Sequence, residues 1–193
     1  MELKVAVYAA ARDLADGMFI GTHQFIIIKP DTGLLPNFKT PRNKIISPRD
    51  LGNGNFGYVI GAQNRGRLKS EFFEKNDYQA TLEYFNPEKY VSWKADFDTE
   101  VKLIEHSLSD TDFINRILFM VKNYMINEQE DNIPYPKFGL AVNSNSWVQS
   151  LVRAANGSVD HNFKGLDVSN TLRIPSIYFQ AICSKDGRPK VNS

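Results

Sequence analysis

The chain has very little cysteine: Cys183 is the single one among 193 residues. An internal disulfide and a cysteine-built zinc site are thereby excluded. Cys183 lies in "YFQAICSKD", where an apolar strand and a buried, inert thiol are expected. Long hydrophobic runs are also missing. The longest, "VAVYAAA" near the start, is far shorter than the roughly 20 residues a membrane helix needs. Charge of one sign is not in excess, because 23 basic residues face 22 acidic ones for a net charge of +1. Composition therefore gives no electrostatic reason to expect nucleic acid or an anionic membrane as partner. Histidine is scarce, with three in the chain (His23, His106 and His161) and no close partner spacing. No metal motif follows, and no cofactor is implied. Repeats and low-complexity tracts are absent. The opening "MELKVAVYAAARDLADG" has an acid at its second position and no secretory core. The expectation is a polypeptide made in the cytoplasm, which another machine must deliver if it acts in another cell or its periplasm.

One short motif is a decoy. "GNGNFG" matches G-x-G-x-x-G, but it follows "SPRDL" and runs into a strand instead of opening a helix, so a turn is expected. No G-x-S-x-G occurs, which argues against an ordinary α/β-hydrolase elbow.

What is present is the 42% hydrophobic content of an ordinary globular chain, read as one domain over 1–193. A chain of this size buries roughly 70% of its unfolded surface. "LKVAVYAAA" reads as a strand and "ARDLADG" as a turn. "MFIGTHQFIIIKP" reads as a second strand stopped by Pro30, and "FGYVIGAQN" as a third. Between them, Pro30, Pro36, Pro41 and Pro48 mark a long loop that can wall a cleft. "EFFEKNDYQATLEYF" fits either two short strands or a helix. The second half of "SWKADFDTEVKLIEHSL" looks helical, with His106 on a solvated face. "SDTDFINRILFMVKNYMINEQE" is the clearest helix, capped by Ser109 or Asp110. A further amphipathic helix carries Trp147, Val148, Leu151, Val152 and Ala155, with "NG" as its stop. The tail "NTLRIPSIYFQAICS" returns to strand composition. This order predicts an α+β fold with a mainly antiparallel sheet packed on helices.

The chemistry-bearing stretch is "VNSNSW". One helix cap needs one polar residue, yet four precede this apolar helix. Capping is the plain account of any one of them. The same helix N-terminus would favour an anionic nucleophile and offer N–H groups to an oxyanion. A base is needed, and His23 in "GTHQFIII" lies inside a strand, on the face of Phe25 and Ile27. Most histidines so placed are hydrogen-bonded core residues.

The pattern "G-x-H-x-x-I-x-I", a following strand with a polar residue, and a late "N-S-N-S-W" opening a helix resemble the permuted papain-like superfamily. That superfamily includes permuted relatives of the NlpC-type cell-wall peptidases and of lecithin:retinol acyltransferase. The resemblance covers 21–28 and 143–147 and the order of elements. It implies His23 as general base, Ser144 in the nucleophile's place, and Asn143 and Asn145 shaping the turn and meeting substrate beside Trp147. The orienting residue would be Gln63, with Asn64 as the alternative. Most members carry cysteine where this chain has Ser144. A working serine, a decayed binding-only site and an engineered cysteine replacement all remain open. The implied activity is acyl transfer to water, on a peptide amide such as a peptidoglycan crosslink, or secondarily on an ester or lipid acyl group. A delivered antibacterial effector, with an immunity or delivery protein as partner, is the implied setting. A catalytically decayed binding module of a phage or secretion system is the alternative.

Overall fold

The computed structural model describes residues 4–14, 21–90, 97–136, 141–164 and 168–181. Three long strands lead: β1 (Val5–Asp13), β2 (Thr22–Pro30) and, after three two-residue strands, β6 (Phe56–Asn64). The short strands β3 (Phe38–Lys39), β4 (Ile45–Ile46) and β5 (Arg49–Asp50) punctuate the proline-bearing loop. β7 (Leu68–Phe72) then precedes helices α1 (Lys75–Phe85) and α2 (Pro87–Tyr90). After β8 (Thr99–Leu103) come α3 (Asp110–Glu130) and α4 (Ser144–Ala154), with 3-10 turns at Val168–Asn170 and Ser176–Phe179.

The main sheet has the order β5-β6-β2-β1-β8, with β7 also on β6, and its paired strands are antiparallel. The fold is thus α+β with a mainly antiparallel sheet. Alternation along the strands assigns its two faces. Tyr8 and Lys29 lie against Phe85 of α1, and a Cβ at Gly61 would come within 2.7 Å of Asp77 Oδ2. One face, carrying Tyr8, Arg12, His23, Phe25 and Gly61, therefore belongs to α1. The other carries Gln24, whose side chain bonds Gln149 of α4, and it is covered by α3 and α4. Ile26, Ile28, Ile60, Phe113, Trp147 and Leu151 fill that second layer and are fully buried or nearly so.

Several expectations are corrected. "ARD" is not a turn, because β1 continues to Asp13 paired with Thr22 of β2. The predicted helix around 99–106 is strand β8, which supplies the ladder that the outer edge of β1 lacks. Its neighbour His106 is not on a helix: the ring stacks on Phe113 at 4.0 Å and Nδ1 lies 2.9 Å from the Leu108 carbonyl. "EFFEKNDYQATLEYF" divides into the end of β7 and the helix α1. The strand expected in the tail is a 3-10 turn at Ser176–Phe179, held by Asn123 and Asn127 of α3 on its carbonyls. Cys183 lies outside the described residues. "GNGNFG" is a turn, with Gly52, Asn53 and Gly54 at φ of 115°, 57° and 76°, a backbone path that suits glycine and asparagine.

Candidate functional site

Two polar clusters sit on either side of β2 at the same height. On the α1 face, Arg12 of β1 is directly opposite His23 of β2. Asp77, from the first turn of α1, reaches down to both. Its Oδ1 accepts from Arg12 Nε at 2.8 Å and its Oδ2 lies 3.1 Å from His23 Nε2. Gln63 Nε2 donates to the same Oδ2 at 2.8 Å and stands 2.9 Å from His23 Nε2. Gln63 and His23 are therefore together, as the resemblance implied; Asn64 is exposed at the end of β6. Asp77 is fully buried and His23 is 4% exposed.

Burial alone would raise the Asp77 carboxyl. His23 and Arg12, by charge and hydrogen bond, outweigh it and hold the group below its ordinary range. The first turn of α1 adds the favourable end of the helix dipole. An ionised carboxylate only accepts, so the proton shared with His23 belongs on Nε2. In the neutral imidazole Nδ1 then carries the lone pair. It makes no hydrogen bond to a described residue. That is the arrangement in which a carboxylate orients an imidazole for general-base work.

On the α4 face the groups are amides and hydroxyls. Asn143 caps α4, its side chain accepting from Asn145 N at 2.9 Å and from the third helical N–H in a capping box with Ser146. Ser146 Oγ donates to the Ser169 carbonyl at 2.9 Å. Asn145 Oδ1 accepts the Gln24 N–H at 2.9 Å. This happens just past Phe25–Gly61, where the β2–β6 pairing has ended. Asn145 Nδ2 donates to Asn170, which also accepts from Gln24 Nε2 at 2.7 Å.

Ser144 is buried, and its hydroxyl donates to Asn145 Oδ1 at 3.2 Å; no hydrogen bond joins it to His23. The body of α4 and the His23 ring lie on opposite faces of the sheet. The link between them is the Asn145 side-chain carbonyl oxygen, which takes the Gln24 N–H one position along β2 from His23.

Three expectations change here. Trp147 is a core residue, fully buried and edge-on to Tyr124 at 5.7 Å, with no surface for a substrate. Asn143 and Asn145 are buried too and spend their side chains on the cap and on β2. The cap occupies the Asn145 and Ser146 N–H groups that would otherwise face an oxyanion. Of the four polar residues, Ser144 alone has a side chain whose bonds go no further than its neighbour.

Sequence reasoning missed Asp77 and Arg12. Arg12 sits at the end of an apolar strand and read as a turn. Asp77 is an acid in the first turn of a helix, a position that most often means nothing beyond the dipole. Only the strand register and the packing of α1 unite them with His23. The proline-bearing loop does wall a cleft, of about 850 Å3, but its lining includes neither His23 nor Ser144.

Among the described residues, no cluster of side chains suits a metal ion, and no helix is long and apolar enough to cross a membrane. No protein-family model, curated protein or solved structure matches the chain.

Proposed function

We propose that the chain is an acyl hydrolase of permuted papain-like type, with His23 as its base and Ser144 as its nucleophile. The observation that carries this is the seating of His23: Asp77 holds Nε2 at 3.1 Å, which leaves Nδ1 without a partner among the described residues, one position along β2 from the N–H that anchors the Ser144 turn. In the reaction, the Ser144 hydroxyl leaves Asn145, gives its proton to His23 Nδ1 and attacks the carbonyl. Asp77 stabilises the imidazolium that results, Arg12 helps keep the carboxylate ionised, and Gln63 holds it in place. Protonated His23 returns the proton to the leaving group, and water repeats the attack on the acyl-enzyme.

The substrate class is a peptide amide, with bacterial peptidoglycan first and an ester or lipid acyl group second. The biological setting is a delivered antibacterial effector, met by an immunity or delivery protein.

A specific observation favours a second reading. Ser144 bonds Asn145 and not His23, and the cap takes two of the helix N–H groups. A binding module with a decayed site needs no more than that, and in it Arg12–Asp77–His23 is a buried staple of α1 to the sheet.

Labelling with a fluorophosphonate probe, alongside fragment analysis of purified peptidoglycan, separates the two. The hydrolase reading expects Ser144 to be labelled and product to form. Labelling and product should vanish in Ser144→Ala, and Ser144→Cys should digest at least as well, since a histidine-paired thiolate is the stronger nucleophile. Absence of both labelling and product in the parent and in Ser144→Cys leaves the binding module.

A further inference from the structure

The large cleft belongs to neither polar cluster. One wall is β7, another the turn between β3 and β4, and the floor is the last turns of α3 at Met125, Glu128 and Gln129. Seven of the chain's 23 basic residues line it, against three of its 22 acidic ones. The remainder of the chain is therefore net acidic, and basic charge is concentrated in this cleft. Arg42 and Lys44 stand on the β3–β4 side, Arg67 and Lys69 on β7, and Arg49 and Lys75 at the far end. Arg65, the seventh, is already neutralised by two bonds to Glu71 at 2.9 and 2.8 Å.

The three acids leave the other six cations uncompensated. Among the described residues, no carboxylate stands within ion-pair distance of any of the six. Glu71 is spent on Arg65. Glu74 caps α1, accepting from Asn76 N and Asp77 N, and lies 3.7 Å from Arg12. Glu128 is 3% exposed and takes the Ser70 N–H at 3.0 Å. Burial pushes its carboxyl up to about 7, which removes part of its charge at neutral pH. Two of the guanidiniums are held in position. Arg42 donates to Gln129 at 2.7 Å, and Arg49 lies 4.6 Å from the Phe73 ring centroid and 5.7 Å from that of Tyr78. Arg67 Nε is buried with no partner among the described residues. Beside the charges stand Ile45, 53% exposed, and the partly buried Ile46 and Phe72.

We propose that this cleft binds a small ligand carrying linked phosphate groups. Six cations gathered against their mutual repulsion attract an anion, and one ligand that compensates them must bring several negative charges. Linked phosphates bring those charges in little volume, and their oxygens match the guanidinium forks of Arg42, Arg49 and Arg67. At about 850 Å3 the cleft has the size that encloses a small molecule. A long polyanion draws its affinity from a basic track, and beyond the cleft the chain is net acidic. Ile45, Ile46 and Phe72 offer a seat to an apolar or aromatic group joined to the phosphates. The inference does not depend on the hydrolase reading, because no residue of the cleft belongs to that mechanism.

The test is isothermal titration calorimetry of the full chain with ATP and with inorganic tripolyphosphate, in magnesium-free buffer. Expected is saturable binding of at least one of them that weakens as salt is added. Tighter binding of ATP identifies a nucleotide-type ligand seated on the apolar lining, and tighter binding of tripolyphosphate identifies a free oligophosphate; either supports the proposal. The double variant Arg42→Glu/Lys44→Glu, both sites exposed, should bind at least about tenfold more weakly with an unchanged circular dichroism spectrum. Lys89→Glu/Arg153→Glu makes the same change of net charge at exposed sites outside the cleft and should bind as the parent does. An equal loss in that control would reduce the effect to net charge and overturn the proposal. Equal binding by citrate, tighter binding by a DNA duplex, or no binding by either phosphate compound would overturn it too.

Discussion

The two sides of β2 hold polar groups by different physics. On the α1 face, one carboxylate answers a guanidinium, an imidazole and an amide in a nearly dry site. On the α4 face, Asn145, Gln24, Gln149 and Asn170 share neutral bonds with no net charge. Loss of one member on the ionic side leaves charge uncompensated in low dielectric. Loss of one member on the amide side leaves a donor or acceptor unsatisfied, which costs less. The ionic side can also move a proton, whereas the amide side can only hold shape. The contrast explains why "NSNS" is so polar: three of its residues serve the cap and the docking of α4, and Ser144 is left over.

The largest expected effect comes from Asp77→Ala. It strands Arg12 and His23 together and should cost about 3–5 kcal/mol by chemical denaturation. Asn145→Ala, on the other side, should cost about 1–3 kcal/mol. If the order is reversed, the amide network carries the fold and the contrast fails.

Acidity offers a finer separation. The folded Asp77 carboxyl titrates below its ordinary 3.8, so the stability it contributes is present above that value and is lost as pH falls through the lower folded one. Acid unfolding should therefore be blunted in Asp77→Asn relative to its own neutral-pH stability and unchanged in shape in Asn145→Ala. Glu128, in the basic cleft, has the opposite sign. Burial pushes its carboxyl up to about 7 from 4.5, against the Ser70 N–H, Arg67 and Lys69, while Glu71 adds to the rise. Its folded form keeps the proton longer than the unfolded one, so stability falls as pH rises from about 4.5 to about 7. Glu128→Gln should flatten that limb in urea titrations at a series of pH values.

The smallest stability effect is the one that decides function. Ser144→Ala removes a single bond to a neighbouring side chain, so a loss of about 1 kcal/mol or less is expected. On the proposed hydrolase reading, activity on peptidoglycan should nevertheless disappear. Undiminished activity in Ser144→Ala would remove Ser144 from the mechanism and leave the whole amide side structural.

Much of the architecture was legible in the amino-acid order. The apolar runs in "THQFIIIKP" and "FGYVIGAQN" gave β2 and β6, and Ser109 or Asp110 with the apolar spacing behind them gave α3, where Ser109 is the cap. That one residue of "NSNS" caps α4 was legible for the same reason, although which one was not: these signals are local, and backbone periods and caps act within one or two turns. The pairing of His23 with Gln63 was reached by resemblance to a pattern of elements. Neither residue identifies the other by spacing.

Tertiary structure alone decided the rest. "TEVKL" became a strand because β1 had an unpaired edge to fill, which no local propensity encodes. Trp147 went to the core because α4 is buried from Ser144 to Val152, although its sequence position close to Ser144 suggested a substrate contact. Asp77 met His23 across 54 positions, and Arg12 met Asp77 across 65, through strand register and the seating of α1. Buried charges find one another by geometry in the folded chain. The sequence states which charges exist, and packing determines which of them share a dry site.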